Sequence, residues 1–199
     1  METHNQDKNN ISKAETGPIR TFIWDLVKIV GVSMAIIIPF RLLVAEPFVV
    51  SGSSMLSNFH NNDYLIVDRL SYRRSEPRRG DVVVMKYPKN TSEYFIKRII
   101  GLPGETVMLQ NGKVVIVNPQ NPQGMTIEEP YLSSGTPTLG RPGPYTLGNG
   151  EYFVLGDNRT ASSDSRVWGI LPENDIVGRA WLRIFPLKDF GFIKTPTYN

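Results

Sequence analysis

The hydrophobic pattern of the chain changes near residue 21 and again near residue 47. Residues 1 to 20 are polar and lack an apolar period, which predicts a disordered tail. A charge-free apolar run of 12 residues extends from Ile29 to Phe40, and the low-polarity segment around it covers 24 residues, from Phe22 to Ala45. Twenty-four helical residues reach roughly 36 Å, which exceeds a hydrocarbon core of about 30 Å. We therefore predict a transmembrane helix over residues 21 to 45.

Charged residues at the two ends of this segment favour a retained signal anchor. Asp25 and Lys28 are spaced to pair on one helix face, and Lys28 and Arg41 have stems long enough to snorkel to opposite interfaces. A cleaved signal peptide is the main alternative, but no small-x-small cleavage site follows the apolar run. A buried core helix is the other. Basic residues are denser before the run than after it, which predicts a cytoplasmic N-terminus and an extracytoplasmic domain after Ala45.

After Pro47 the pattern predicts a β domain. β-branched and aromatic runs are separated by Ser, Pro and Gly, and they predict strands at residues 64–70, 81–87, 93–100, 151–155 and 178–185. Asn111 and Gly112 stand between two more such runs and predict a type I′ hairpin turn. Residues 118 to 150 contain six Pro and six Gly, so we expect mostly loop there.

Composition narrows the possible chemistry. The chain has no cysteine, which excludes a thiol nucleophile, and only two histidines, His4 and His60. The net charge of +3 does not indicate nucleic acid. One basic run is denser and could face anionic lipid or a phosphate backbone, although we favour a solvated strand connection: Arg69, Arg73, Arg74, Arg78 and Arg79.

Three segments carry candidate chemistry. Residues 51 to 59, SGSSMLSNF, place serines after a strand, although such serine-rich turns are common. Lys97 lies in EYFIKRII, where strand alternation puts it on one face with Phe95 and Ile99. Its interpretation is open between an edge-strand lysine that blocks aggregation and a buried lysine whose lowered pKa makes it a base. The third segment, GDNRTASSDSRVWG at residues 156 to 169, is rich in orienting groups. A calcium loop and a surface turn held by Asp164 and Arg166 are its alternatives.

Four segments, in order along the chain, resemble the boxes of bacterial type I signal peptidases. They are GSSM, RGDVVV at residues 79–84, YFIKRIIGLPGE at residues 94–105, and GDNR with SDSRVWG, all behind an apolar anchor. The similarity extends from the anchor to about Pro186, and the last two boxes are highly specific.

The resemblance implies a Ser/Lys dyad. Ser54, which precedes the Met of the first box, corresponds to the nucleophile, with Ser53 as the neighbour it must be distinguished from. Lys97 corresponds to the general base. Ser162 corresponds to the serine that orients this base, and Asp164 and Arg166 are similar to a supporting ion pair. No cofactor or metal is implied.

Two positions differ from the family pattern. Residues 57–59, Ser-Asn-Phe, replace Pro-Thr-Leu, so the rigidifying proline is missing. Gly52 stands where some relatives carry a serine whose hydroxyl completes the oxyanion hole and others carry glycine. The nucleophile's own backbone N–H is implied as one oxyanion donor. The second donor stays open between the Ser51 hydroxyl and a backbone N–H.

The family resemblance also implies an organisation and a substrate. We expect a mainly β fold: an antiparallel catalytic domain of residues 46–106 and 151–190 and a smaller cap at 107–150. These would follow the anchor, and 191–199 would form a C-terminal tail. The expected activity is removal of signal peptides from exported precursors by a monomeric, single-pass membrane enzyme that contacts lipid and no nucleic acid. The substrate would bind as an added β-strand, with small residues one and three positions before the cut.

Two alternatives differ in class. Self-cleaving SOS repressors share the dyad and the β fold, but they are soluble and begin with a DNA-binding helical domain. This chain begins with a polar tail and an apolar segment instead. The second alternative is an anchored β domain that binds extended peptides without cutting them.

Overall fold

The computed structural model describes residues 17–43 and 45–198, which divide after Phe40 into two units. The first unit contains all but the last three residues of helix α1, Pro18–Leu43. Within it, Ile19–Ile38 has a mean hydropathy of 2.0, and no part of this window is buried. By length and composition this is the one helix among the described residues that could cross a membrane. Lys28 Nζ lies 3.3 Å from Asp25 Oδ1, which confirms the predicted pair.

The second unit contains a large antiparallel sheet. Eight strands of the described residues form it, and β12 joins it beside β11. Its strands are β1 (Ala45–Val49), β2 (Tyr64–Asp68), β3 (Val82–Tyr87), β4 (Asn90–Gly101), β9 (Glu151–Leu155), β10 (Leu171–Pro172), β11 (Ile176–Phe185) and β12 (Gly191–Phe192). The order of the other seven is β1-β2-β11-β3-β4-β9-β10. The described elements confirm the predicted mainly β fold behind one apolar helix.

Two strands of this sheet leave part of an edge unpaired. β1 pairs only with β2, from Ala45 opposite Asp68 to Val49 opposite Tyr64. β4 pairs along its length with β3, but with β9 only from Arg98 onward. Among the described strands, the free side of β1 and residues 90–97 of β4 therefore expose backbone groups that another strand could bind.

A smaller sheet of four described strands lies within the same unit. Its order is β7-β6-β5-β8, with β5 at Thr106–Gln110, β6 at Lys113–Asn118, β7 at Asn121–Thr126 and β8 at Tyr145–Thr146. Asn111 and Gly112 have φ angles of 52° and 74°, so the hairpin turn between β5 and β6 has the predicted positive-φ backbone. We call this four-stranded sheet and its loops the cap.

Three buried clusters hold the second unit together. One joins the two sheets and contains Ile100, Val107, Leu109, Val114, Ile116, Ile127, Leu147, Phe153 and Leu155. A second lies under the loop that follows β1 and contains Val50, Met55, Phe59, Leu65, Val82 and Ala180. The third packs β3, β4 and β9 around Tyr152 and Trp168. The site strands are thus fixed by apolar packing on both faces.

Several boundaries differ from the sequence prediction. α1 begins at Pro18, inside the segment predicted to be a disordered tail, and residues 1–16 lie outside the described residues. The Pro- and Gly-rich stretch contains the strands β7 and β8, because pairing with β5 and β6 satisfies a backbone that the composition does not favour as strand. Residues 191–198 are also less tail-like than predicted. β12 pairs with β11, and Thr195 Oγ1 donates to Asp81 at 2.8 Å.

Candidate active site

Lys97 and Ser54 meet at the end of the cleft between β1 and β4. Lys97 Nζ lies 2.8 Å from Ser54 Oγ and 2.8 Å from the carbonyl oxygen of Ile96. The lysine is 3% exposed, and its Nζ stands 5.1 Å from the centroid of the Phe95 ring. An amine and a hydroxyl 43 residues apart in sequence are therefore within direct proton-transfer reach.

Burial changes the acidity of this amine. Desolvation lowers the pKa of Lys97 to about 8, against the smaller opposing effects of the Asp164 and Asp157 carboxylates. No carboxylate of the described residues forms a salt bridge with Lys97. A substantial fraction of the amine is therefore neutral near pH 8, and only the neutral form can accept the proton of Ser54.

The loop that carries Ser54 is held by its own ends. Val50 N–H donates to Asp63 and Asn62 N–H donates to Val50, which closes the loop at its base. Gly52 N–H donates to Asn61 Oδ1 at 3.1 Å, and Gly52 has a φ of 101°, a conformation that favours glycine. The loop can therefore turn sharply two residues before Ser54.

The turn after β9 packs directly against this loop. Asn158 N–H donates to the Ser54 carbonyl at 3.0 Å, and Asn158 Nδ2 donates to the Ser53 carbonyl at 3.0 Å. A Cβ at Gly156 would clash with the Ser54 carbonyl oxygen and with the Ser162 hydroxyl. Gly156 is thus the residue that lets the two segments approach, and it comes from the third segment singled out in the sequence.

Ser162 is not among the described hydrogen-bond partners of Lys97. Ser162 Oγ is buried beside the Asp164 carboxylate, whose pKa the hydroxyl helps to lower, while the described hydrogen bonds of Lys97 Nζ go to Ser54 and Ile96. The role of Ser162 as the group that orients Lys97 stays a prediction.

Asp164 and Arg166 form the predicted pair. Arg166 Nε and Nη2 each donate to the Asp164 carboxylate at 2.8 Å. Asp164 also accepts from Gly156 N–H at 3.0 Å and caps the short helix α2, Ser165–Trp168. Burial alone would raise the pKa of Asp164, but the hydrogen bond and charge of Arg166 lower it. The pair shapes the turn that packs on the Ser54 loop.

A second buried ion pair was missed by the sequence analysis. Arg98 Nε donates to Asp157 Oδ1 at 2.8 Å and Arg98 Nη2 to Asp157 Oδ2 at 2.6 Å, while Arg98 lies over the Tyr131 ring. Asn58 Nδ2 donates to Asp157 Oδ2 at 2.8 Å and to the Tyr131 carbonyl at 2.9 Å. Asn58 therefore ties the Ser54 loop to the turn and to the cap, where the family pattern has threonine after its proline. An Arg next to the candidate lysine was the available signal.

The calcium-loop alternative is not supported. The Asp157 and Asp164 carboxylates are bound bidentately by Arg98 and Arg166. Within residues 17–43 and 45–198, no group of three or more His, Asp or Glu side chains could hold a metal ion.

The basic run does not act as one unit. Arg79 Nη2 lies 2.6 Å from Glu105 Oε1, and Arg69 forms an exposed pair with Glu46 at 3.1 Å. Arg73, Arg74 and Arg78 are exposed.

An elongated cleft of about 290 Å³ leads to Ser54 Oγ. One wall comes from the end of β1 and the serine loop, residues 48–54, and the other from β4, residues 94–97. The rings of Phe48 and Tyr94 lie 5.7 Å apart across it. The cleft therefore runs between the free side of β1 and the part of β4 that lacks a second partner. Ser54 N–H has no acceptor among the described residues and is available to a ligand in this cleft.

Comparison with known proteins identifies the family. Residues 23–185 match the family described as signal peptidase, peptidase S26. Signal peptidase I of Leptolyngbya laminosa is 38% identical over 177 residues, which cover 85% of this chain and 83% of the relative. Probable signal peptidase I-2 of Synechocystis sp. is 35% identical over 196 residues, covering 96% and 86%. The chain belongs to the signal peptidase S26 family. Members of this family are serine peptidases, and this chain is therefore a serine peptidase.

One further relative agrees with this assignment. Signal peptidase I of Bacillus amyloliquefaciens is 36% identical over 176 residues, covering 83% of this chain and 87% of the relative. A crystal structure of a signal peptidase I from Enterococcus faecalis has 32% sequence identity, a TM-score of 0.43, and coverage of 53% of this chain and 97% of that one. The family match includes all four sequence boxes, so the resemblance found in the sequence is confirmed.

Proposed function

We propose that the protein is a membrane-anchored serine endopeptidase that removes N-terminal signal peptides from exported precursors, with Ser54 as nucleophile and Lys97 as general base. The observation that carries the dyad is the 2.8 Å contact between Lys97 Nζ and Ser54 Oγ in a buried setting. Family membership supports the cleavage of signal peptides, and α1 supports the anchor.

The reaction follows from this geometry. Neutral Lys97 takes the Ser54 proton as Oγ attacks the scissile carbonyl carbon, and the resulting ammonium returns that proton to the leaving amine. Water then attacks the acyl-enzyme while Lys97 again serves as base. Ser54 N–H, which has no acceptor among the described residues, stabilises the oxyanion. Gly52 N–H is bonded to Asn61, so the second donor is the Ser51 hydroxyl or another backbone N–H.

The cleft supports an extended substrate. A peptide strand between the free edges of β1 and β4 would gain main-chain hydrogen bonds on either side. Side chains of an extended peptide alternate, so the residues one and three positions before the cut point to the same wall. A cleft of about 290 Å³ lined by Val49, Ile96 and neighbouring residues suits small side chains at those positions.

The anchor completes the proposal. α1 ends at Leu43 and β1 begins at Ala45, so the catalytic domain starts close to the point where the chain leaves the bilayer. Four basic residues precede the apolar run, Lys8, Lys13, Arg20 and Lys28, and only Arg41 closes it, which favours a cytoplasmic N-terminus and an external domain. Exported precursors reach the same membrane face.

Incubation of the purified full chain with a signal-bearing precursor tests the dyad. We expect Ser54→Ala and Lys97→Ala each to lower the cleavage rate by about 10⁴-fold or more, because members of a catalytic unit act together. Lys113→Ala, an exposed lysine at the hairpin tip, is the matched control and keeps the wild-type rate. Ser53→Ala separates the two possible nucleophiles, since it leaves cleavage measurable if Ser54 attacks. Precursor binding without any cleavage by the wild type would instead favour a peptide-binding module.

A further inference from the structure

A second cavity of about 400 Å³ is lined in part by the Ser54 loop. The serine loop contributes Leu56 and Ser57 to it, and the turn after β9 contributes residues 157–160. Its third wall is the cap segment 131–137. We call this cavity the hydroxyl pocket.

The serine loop and the turn after β9 line both cavities, each cavity at a different end of the two segments. The serine loop and the turn after β9 run side by side, joined by the bonds from Asn158 to Ser53 and Ser54. The cleft between β1 and β4 is lined by the early part of the loop, 51–54, and by the later part of the turn, Ala161 and Ser163. The hydroxyl pocket takes the later part of the loop and the early part of the turn. A peptide that crosses Ser54 from the cleft therefore runs on toward this pocket.

The walls of the hydroxyl pocket are polar, and much of that polarity is unused. Four of its side-chain hydroxyls bond to no other described group, and they belong to Ser57, Ser133, Ser134 and Thr136. The charged residues of the pocket, in contrast, already bind oppositely charged side chains. Arg159 is held by Glu129 at 2.8 Å and by the Gly156 carbonyl at 3.1 Å, and Asp157 is held by Arg98. The pocket thus offers free hydrogen-bonding groups without a free charge.

The loop residue that faces this pocket is one that departs from the family pattern. Ser57 stands where the family has proline, and Asn58 behind it holds the loop through Asp157 and Tyr131. The loop is thereby fixed without the ring of a proline, and a hydroxyl is exposed at the pocket.

We propose that the hydroxyl pocket binds the first two or three residues after the cut and selects hydrogen-bonding side chains there. This inference rests on the proposed function. Leu56 N–H donates to the Ser53 carbonyl, so the loop turns just after the nucleophile and keeps Leu56 and Ser57 within the reach of two or three extended substrate residues, each about 3.3 Å long. A polar substrate side chain in the pocket replaces the water molecules that hydrogen-bond to these hydroxyls. A large apolar side chain displaces the same water but leaves the hydroxyls buried without hydrogen-bond partners.

Competition between precursor variants tests the proposal. Two precursors differ only in the two residues after the cut, Ser-Asn in one and Leu-Leu in the other. We expect the full-length wild type to cleave the polar precursor with a kcat/KM roughly 3- to 10-fold higher, the size of one or two hydrogen bonds. In the variant Ser57→Ala/Ser133→Ala/Ser134→Ala/Thr136→Val this ratio should fall to about one. Its preference for alanine over leucine immediately before the cut should not change.

The exposed pair Thr106 and Thr146 provides the matched control. These hydroxyls bond to each other on the cap sheet outside the pocket, so Thr106→Val/Thr146→Val should keep the wild-type ratio. Ser57→Ala alone gives an intermediate ratio and guards against misfolding of the fourfold variant. A wild type that cleaves both precursors equally, or a fourfold variant that keeps the full ratio, overturns the pocket assignment. A wild type that cleaves no precursor at all overturns the proposed function instead, so the two failures are distinct.

Discussion

Lys97 and Arg98 are neighbours on β4, carry the same formal charge and are each 3% exposed, yet they face opposite sides of the strand. Arg98 meets a bidentate carboxylate, Asp157, and the Gly80 carbonyl at 2.9 Å. Lys97 meets a hydroxyl, a carbonyl and an aromatic ring. Burial works against the charge at both positions. At Arg98 the hydrogen bonds and charge of Asp157 overcome it and raise the pKa, whereas at Lys97 desolvation wins and lowers the pKa to about 8.

The comparison teaches that two equally buried basic side chains can differ in ionisation. The partner that each side chain meets decides whether it stays charged or gives up its proton. A buried charge with a matched carboxylate stays ionised and holds segments together. One without such a partner gives up its proton more easily and becomes available for chemistry. Adjacent positions on one strand can do both because successive side chains point to opposite faces.

The largest effect is expected on the free energy of unfolding when the Arg98–Asp157 ion pair is broken. Arg98→Met leaves the Asp157 carboxylate, which is 4% exposed, with only Asn58 as a side-chain donor. We expect the free energy of unfolding to fall by roughly 3–5 kcal/mol, measured by urea denaturation. The exposed pair Arg69 and Glu46 supplies the control, and Arg69→Met should cost less than about 1 kcal/mol. Equal losses in the two variants would contradict the assigned role of Arg98.

The pH dependence of cleavage tests the role of Lys97, the buried cation without a carboxylate partner. If Lys97 is the base, as proposed, only its neutral form accepts the Ser54 proton, and kcat/KM should rise about tenfold per pH unit below 8 and level off above it. Between pH 6 and pH 9 the neutral fraction of a group with this pKa grows about 90-fold. Cleavage of a precursor at low substrate concentration measures the profile, with circular dichroism to check folding. A rate that is flat from pH 5 to pH 10 would contradict a lysine base.

The smallest effect is expected on the free energy of unfolding when Lys97 is replaced. The folded-state pKa of about 8 lies below the ordinary 10.5, so the ammonium destabilises the fold fully below pH 8. This penalty disappears as pH rises from 8 toward 10.5. Lys97→Met should therefore raise the free energy of unfolding at pH 7 by about 1–2 kcal/mol, after the lost hydrogen bonds are subtracted. Exposed Lys113→Met should change it by less than about 0.5 kcal/mol. A destabilised Lys97→Met would show that the charge is better compensated than its contacts indicate.

The local sequence pattern was sufficient to predict the helix and most strands. It was insufficient to predict which distant segments pair with one another. The hairpin at Asn111 and Gly112 is confirmed because its turn needs positive φ at both positions, a demand of the residues themselves. β7 was not predicted, since its backbone is ordered by pairing with β6 and not by its own Pro- and Gly-containing sequence. The same reason explains the C-terminal segment, which β11 and Asp81 hold in place.

The candidate site divides in the same way. Ser54 and Lys97 were singled out by sequence motifs and lie together, and Asp164 pairs with Arg166 two residues away. The pairing of Arg98 with Asp157 was missed because 59 residues separate them and nothing in either segment specifies the other. Ser162 was expected at the lysine from the family resemblance, but the described hydrogen bonds of Lys97 go to Ser54 and Ile96, so the role of Ser162 stays a prediction.

The sequence by itself determined an apolar helix long enough to cross a membrane, a β domain behind it and the residues able to act as nucleophile and base. These follow from periodicity, turn chemistry and motifs, which are properties of neighbouring residues. Only the tertiary structure decided which cation stays charged, which strand edges stay unpaired and which hydroxyls stay free. Those properties depend on desolvation and on partners from distant segments, because a side chain's ionisation and bonding are set by what surrounds it in space.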